Sequence, residues 1–317
     1  MRAFVTGATG FLGGRLVPRL RARGDEVVAL VRDPSRATGL DAELVRGDLS
    51  DRTRLAEPMR GADAVFHLAA VYKVGIPKSE RAAMFEANVR GTENVLDAAV
   101  DAGVARIVYV STVNAFGNTH GRIVDETYER AGDDFVSAYD ETKYRAHLAA
   151  KERIARGAPI VIVQPGAIYG PGDHSELGWQ LELARTGKLK LLALAGVGVN
   201  AVHVDDAVTG ILLAHDEGRI GESYVIGGEI ATLRRMLEIV SEQSGHRMPR
   251  FELPAALIKL AIPLGPLLGK VMKTGPSLRE LISASDGVTY WATDAKARRE
   301  LGYAPRPLSE GLRARET

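Results

Sequence analysis

Along the first half of the chain, short apolar runs alternate with longer stretches whose apolar positions recur every three to four residues. Runs at 2–6, 26–31, 43–47, 64–68, 106–111 and 160–164 have the length of strands, and the longest helical patterns lie at 80–102 and 138–156. Strand and helix in strict turn predict βαβ units, hence an α/β chain with a doubly wound parallel sheet. After "YGPGDH", residues 169–174, the alternation lapses and Gly, Pro and Leu become dense. It resumes in "VHVDDAVTGILLAH" and "SYVIGG", and a mostly helical tail follows. The pattern predicts a main body of 1–168 plus 199–228 and a smaller, mostly helical lobe of 169–198 plus 229–317.

Composition narrows the classes. A chain of 317 residues, 45% hydrophobic, can bury a sizeable core. Lys plus Arg number 41 and Asp plus Glu 40, a balance that implies no basic face for nucleic acid. Cysteine is absent, which excludes disulfides, thiolate catalysis and Cys-based zinc sites and fits a reducing cytoplasm. The first predicted strand starts at residue 2, leaving no room for a signal peptide. The apolar stretch 253–272 is nearly as long as a membrane span, but Lys259, Lys270 and three prolines interrupt it. A helix pair covering a pocket is the reading adopted there, and no membrane contact is expected.

Candidate chemistry begins at "FVTGATGFLGGRLVPRL", residues 4–20, where Gly7, Gly10 and Gly13 sit between a strand and an amphipathic helix. That placement leaves a helix N-terminus whose free N–H groups and dipole suit a pyrophosphate. Gly7 would make the tight turn, Gly10 the close approach and Gly13 the helix–sheet contact, as in a dinucleotide-binding (Rossmann) fold. The main body is therefore read as the dinucleotide-binding domain and the lobe as the substrate-binding one. About 20 residues further on, where an acidic residue would serve the ribose of NAD, stands Arg32, with Arg36 a turn later. Two guanidinium groups favour the 2′-phosphate of NADP. NAD stays possible, with Asp33 serving the hydroxyl.

"SAYDETKYRAH" puts Tyr139 and Lys143 four apart on one helix face. An unperturbed phenol, with a pKa of about 10, is a poor acid–base group at neutral pH, and a nearby ammonium would bring it down. Ser111 and Thr112 end a strand of the sheet, at the edge where such folds bind ligands and where a hydroxyl can polarise a carbonyl.

Taken in order, "VTGATGFLG", "GDLSD", "VFHLAA", "NVRGTENVLDAA", "VYVSTVNAFG", "YDETK", "QPGAIYGPGD" and "VHVDDA" resemble the extended short-chain dehydrogenases/reductases (the NAD-dependent epimerase/dehydratase family) over nearly the whole chain. "ALVRDPSRA", "GRIGESYVIGGE" and "ARRELGYAPRPLSEGLR" are similar to the dihydroflavonol reductase-like branch. The resemblance implies that Tyr139 is the general acid/base, that Lys143 binds the nicotinamide ribose and tunes the tyrosine, and that Thr112 stands for the family's catalytic serine. It implies that Asp48 and Leu49 frame the adenine, that Ala69 and Ala70 line the cofactor, and that Pro165 begins the loop over the nicotinamide. Thr9, Phe11, Leu12, Leu68, Asn88, Ser111, Gly166, Ala167 and Ile168 fall along the same cofactor path. It also implies pairing of two helices into a homodimer.

The chain departs from the family in three places. Gln164 stands where many relatives have arginine. Val113 and Asn114 follow Thr112 in place of the Asp-Glu pair of sugar-nucleotide dehydratases. Asn200 and Ala201 stand where nucleotide-sugar enzymes carry a diphosphate-binding arginine. Tyr72, Lys73, Phe116, Tyr169 and Trp179 flank the expected cleft as candidate substrate contacts. His67 reads as a core histidine. The His203, Asp205 and Asp206 group reads as a structural turn, and no metal is expected. Three functions remain: an NADP-dependent reductase of a ketone or aldehyde (or the reverse alcohol oxidation), an epimerase of a sugar or nucleotide sugar that keeps its cofactor, and a non-catalytic dinucleotide-binding regulator.

Overall fold

The computed structural model describes residues 1–249, 251–253 and 282–313. From residue 254 on, the apolar stretch 253–272 lies outside the described residues. Among the described residues, no helix is long and apolar enough to cross a membrane.

Seven strands form the main sheet: β1 (Arg2–Thr6), β2 (Glu26–Val31), β3 (Glu43–Arg46), β4 (Ala64–His67), β5 (Arg106–Val110), β6 (Ile160–Pro165) and β10 (Ser223–Ile226). Their order is β3-β2-β1-β4-β5-β6-β10, and every pair is parallel. The central strands read as unbroken apolar runs because both faces are covered. Val5, Ala29, Phe66, Val108 and Val161 face helices α1 (Gly13–Ala22) and α7 (Val204–Asp216). Phe4, Val28, Val65, Ile107 and Ile160 face α2 (Arg52–Met59), α4 (Gly91–Asp101) and α5 (Ala138–Ala155). Strand order reverses between β1 and β4, and a doubly wound sheet opens its ligand crevice at the carboxyl ends there.

The helical pattern at 80–102 is interrupted. α3 (Lys78–Phe85) runs into a π-helical turn, Glu86–Arg90, before α4. Asn88 in that turn is buried, and its amide bonds the backbone of Val71 on both sides, at 2.7 and 3.0 Å, and Thr142 at 3.1 Å. A period count cannot show one extra residue whose purpose is a tertiary contact.

The second lobe is built on a three-stranded sheet, β11-β9-β7, from β7 (Ala167–Tyr169), β9 (Gly198–His203) and β11 (Glu229–Thr232). A small pair, β8 (Leu192–Ala193) with β12 (Glu252–Leu253), lies beside helices α6 (Glu176–Arg185) and α8 (Leu233–Gln243). Two segments sit elsewhere than their sequence pattern suggests. Residues 198–203 pair within the small sheet, whereas helix α9 (Ala295–Leu301) sends Ala297 and Leu301 into the main core, followed by Tyr303 just past its end. Lys296 fixes α9 there through Glu222 at 2.7 Å and the Ser223 carbonyl at 2.9 Å. Helix α10 (Leu308–Gly311) closes the described chain, with Leu308 in the small-lobe core.

Candidate active site

At the carboxyl end of β1 the three glycines differ in environment. Gly7 sits at φ +76° with Ala69 so close that a Cβ would lie 2.7 Å from its nitrogen. At Gly13 a Cβ would meet the Gly7 carbonyl at 2.1 Å. Gly10 is exposed, and a Cβ there would stand 3.2 Å from the Gly7 carbonyl oxygen. Helices α2, α5, α6 and α8 are capped by Asp51, Ser137, Ser175 and Thr232, whereas α1, like α3, α4, α9 and α10, has no side-chain cap. An open helix terminus beneath a glycine cradle fits a dinucleotide pyrophosphate. Thr9 is exposed there, and Phe11 and Leu12 are half-buried.

Ser137 caps α5 by accepting the Asp140 amide at 3.0 Å, which sets Tyr139 and Lys143 in its first two turns. Both are buried. The Lys143 ammonium donates to the Val110 carbonyl at 3.2 Å and lies 5.4 Å from the centre of the Tyr109 ring. Burial lowers its pKa from 10.5 to about 8. The Tyr139 ring stands edge-on to Tyr72, centroids 4.8 Å apart. Thr112 neighbours the Tyr139 phenol, and its hydroxyl acts to lower the phenol's pKa. Its Oγ1 accepts the Asn114 amide at 3.2 Å, with Asn114 Oδ1 and the Pro165 carbonyl as alternative acceptors for its own proton, at 3.1 and 3.5 Å.

The expected downward shift of the phenol is not what this geometry produces. Burial pushes Tyr139 up, the neighbouring Tyr72, Tyr109 and Tyr290 add to the rise, and the Thr112 hydroxyl offsets part of it. Lys143 is turned to the Val110 carbonyl, so in the cofactor-free chain Tyr139 is a firmly protonated acid.

Below these groups runs a buried polar chain. The Ala69 amide donates to Thr6 Oγ1 at 3.3 Å, Thr6 pairs with His67 Nδ1 at 2.7 Å, and His67 Nε2 pairs with Thr92 Oγ1 at 3.0 Å. Since Thr92 gives its proton to the Asn88 carbonyl at 2.7 Å, it accepts from Nε2–H, and Nδ1 then accepts from Thr6. His67 is therefore a satisfied core histidine that links the glycine turn to the π-helical turn. Burial, with the Lys143 charge adding, lowers its pKa to about 3. His147, one turn past Lys143, pairs with Ser111 Oγ at 3.1 Å and is lowered to about 4 by burial, with Lys151 and Lys143 adding.

Of the other residues singled out in the sequence, Asp48 is exposed and caps Ser50 at 2.9 Å, and the half-buried Leu49 lies against Gly91. Leu68 and Ala69 follow β4 beside Gly7, and Ala70 is exposed. Pro165 and Gly166 are buried, the latter against the Asn200 carbonyl, while Ala167 and Ile168 are half-buried in β7. Tyr72 borders the site, 59% exposed, and Trp179 is exposed on α6. Phe116 and Tyr169 are instead packing residues: Phe116 is edge-on to Tyr128, and Tyr169 is buried against His203. Lys73 is turned to Glu80 at 3.8 Å. His203 caps α7 through the Asp205 amide at 3.2 Å, and Asp206 holds Arg306 at 2.8 Å, so both serve structure. The sequence pattern did not single out His147, which pairs with Ser111, or Tyr290, which adds to the rise of the Tyr139 phenol. Spacing alone could have found His147, four residues after Lys143.

Comparison with known proteins decides the family. A model of the NAD dependent epimerase/dehydratase family matches residues 3–227. The chain belongs to the NAD-dependent epimerase/dehydratase family. It is 33% identical to a putative dihydroflavonol 4-reductase of Synechocystis, over 98% of this chain and 92% of that protein. It is 34% identical to a 4-hydroxy-2-methyl-3-oxo-4-farnesyl-3,4-dihydroquinoline-1-oxide ketoreductase of Stigmatella aurantiaca, over 96% and 92%. The crystal structure of gox2253 superposes with a TM-score of 0.83 at 34% identity, over 98% of this chain and 95% of that one. Membership makes this an extended short-chain dehydrogenase/reductase, and its resemblance to reductases covers both lobes.

Proposed function

We propose that the protein reduces a ketone or aldehyde of a small molecule, or oxidises the alcohol, with NADP as cofactor. The observation that carries this reading is the meeting of Thr112, Tyr139 and Lys143 at one sheet edge, with the phenol held protonated. A reductase needs an acid at that place, because a carbonyl oxygen gains negative charge as its carbon is reduced. The reductase and ketoreductase names of two relatives support the same reaction class.

When bound, the nicotinamide supplies the hydride. The protein's own residues do the rest. Thr112, its lone pairs partly taken by the Asn114 amide, turns its proton to the carbonyl oxygen and orients it. Tyr139 delivers the second hydrogen bond and then its proton. The Lys143 ammonium, released from the Val110 carbonyl towards the ribose, stabilises the phenolate that remains.

The test is Tyr139→Phe, which keeps the ring and removes the proton. With NADPH and a panel of ketones, turnover is expected to fall at least about a hundredfold while NADPH affinity by calorimetry stays within about threefold. Parental turnover in this variant would overturn the reading. Interconversion of sugar epimers by the parent, with no net change in cofactor, would point to the epimerase instead.

A further inference from the structure

Asp140 follows Tyr139 in the first turn of α5 and is completely buried, and the Arg130 side chain opposite it is 3% exposed. The fork is bidentate: Nη1 donates to Oδ1 at 2.9 Å and Nη2 to Oδ2 at 3.2 Å. Nε donates to the Gly132 carbonyl at 3.0 Å, and Nη2 also reaches Asp134 at 3.3 Å. The guanidinium lies 4.2 Å from the Phe135 ring centre and 5.5 Å from that of Tyr144. Gly117, at φ +73°, leaves room for it, since a Cβ there would stand 2.9 Å from Cζ. Asp140 Oδ2 also accepts the Val136 amide at 3.0 Å. One ion pair thus gathers residues 130–136 onto the turn that carries the phenol, with Gly117 packed behind the guanidinium.

Stability does not account for such a pair. Taking both charges out of water costs about what their attraction returns, and well-packed apolar replacements are often as stable. What a fully bonded fork does supply is a fixed geometry. Displacing a reacting group by about 1 Å is enough to slow a reaction severely.

Resting on the reductase reading, we propose that the Arg130–Asp140 pair is a positioning device that locks residues 130–136 against α5 and holds the Tyr139 hydroxyl beside Thr112. Neither residue touches the reacting atoms. They act through the first turn of the helix.

The experiment uses the full chain with NADPH and phenanthrenequinone as the probe carbonyl. The double variant Arg130→Met/Asp140→Leu removes both charges and leaves none buried alone. Its Tm is expected within about 5 °C of the parent, with kcat at least about tenfold lower and KM and NADPH affinity changed less than about threefold. A purely structural pair would instead return kcat together with Tm, and that result overturns the proposal. Should the double variant fail to fold, Arg130→Lys keeps the charge but loses the fork and the stacking. It is expected to show the same selective loss in kcat, and parental kcat in it also overturns the proposal. Tyr139→Phe on the same probe separates the two readings. If it turns over like the parent, the reductase reading fails; if it is dead while the clamp variants are parental, only the clamp fails.

Discussion

Arg36 and Arg46 act on Asp33, which follows Arg32 where β2 ends, with Arg46 opposite Val31 in the strand register. Asp33 is already engaged: its Oδ1 accepts the Ser35 amide at 3.0 Å and the Ser35 hydroxyl at 2.7 Å, capping the turn Pro34–Ala37. Those bonds, with the charges of Arg36 and Arg46, hold its carboxyl below the usual range. A carboxylate committed to its own turn is poorly placed to serve a ribose hydroxyl, while guanidinium groups suit a 2′-phosphate. Calorimetry is expected to find NADPH bound more tightly than NADH. Arg32→Asp should reduce that preference by about 1.5–3 kcal/mol, the worth of one charged hydrogen bond. Equal affinities in the parent would refute the assignment.

At the scale of the element, α5 carries a cost that serves its role. Lys143 is a base whose pKa falls from 10.5 to about 8 on folding, so below pH 8 the folded chain holds a charge that burial disfavours. That difference is worth about 3 kcal/mol at neutral pH, to the disadvantage of the folded state. Lys143→Met is therefore expected to raise the stability of the cofactor-free protein, by about 1–3 kcal/mol in urea unfolding at pH 7, while weakening NADPH binding and turnover. A variant less stable than the parent would show that the charge is better satisfied than its burial implies. The helix itself was legible, because the Tyr139–Lys143 spacing and the capping Ser137 are local. Its titration state was not, since the phenol is raised by its burial in the assembled fold, with Tyr72, Tyr109 and Tyr290, all far away in sequence, adding to the rise. Arg130 was equally hidden: it lies in a stretch without periodicity, and only the fold brings it to Asp140.

At the scale of the whole molecule, the alternating pattern placed six of the seven strands of the main sheet, β1 to β6, because each is short and apolar and is separated from the next by its own connection. Nothing in that pattern says which side chains become polar links through the core. Two of them, His67 and His147, are neutral in the folded chain at pKa values of about 3 and about 4, against 6.5 for an ordinary imidazole. Each is a base whose pKa is lowered by folding. The fold's preference for the neutral ring is therefore complete above pH 6.5 and is lost as pH falls towards the folded values, because the unfolded chain takes up protons that the folded chain refuses. Unfolding free energy is expected to drop on going from pH 6.5 to pH 5, approaching about 1.4 kcal/mol per pH unit for each histidine. His67→Gln removes one of the two titrations and keeps an amide that can bond Thr6 and Thr92, so its slope over the same range should be about half the parental one. Guanidinium unfolding curves at half-unit steps of pH measure both slopes directly. A flat parental curve would mean that water or a rearranged hydroxyl satisfies the protonated rings in place, and that the chain from the glycine turn to α5 is looser than its hydrogen bonds describe.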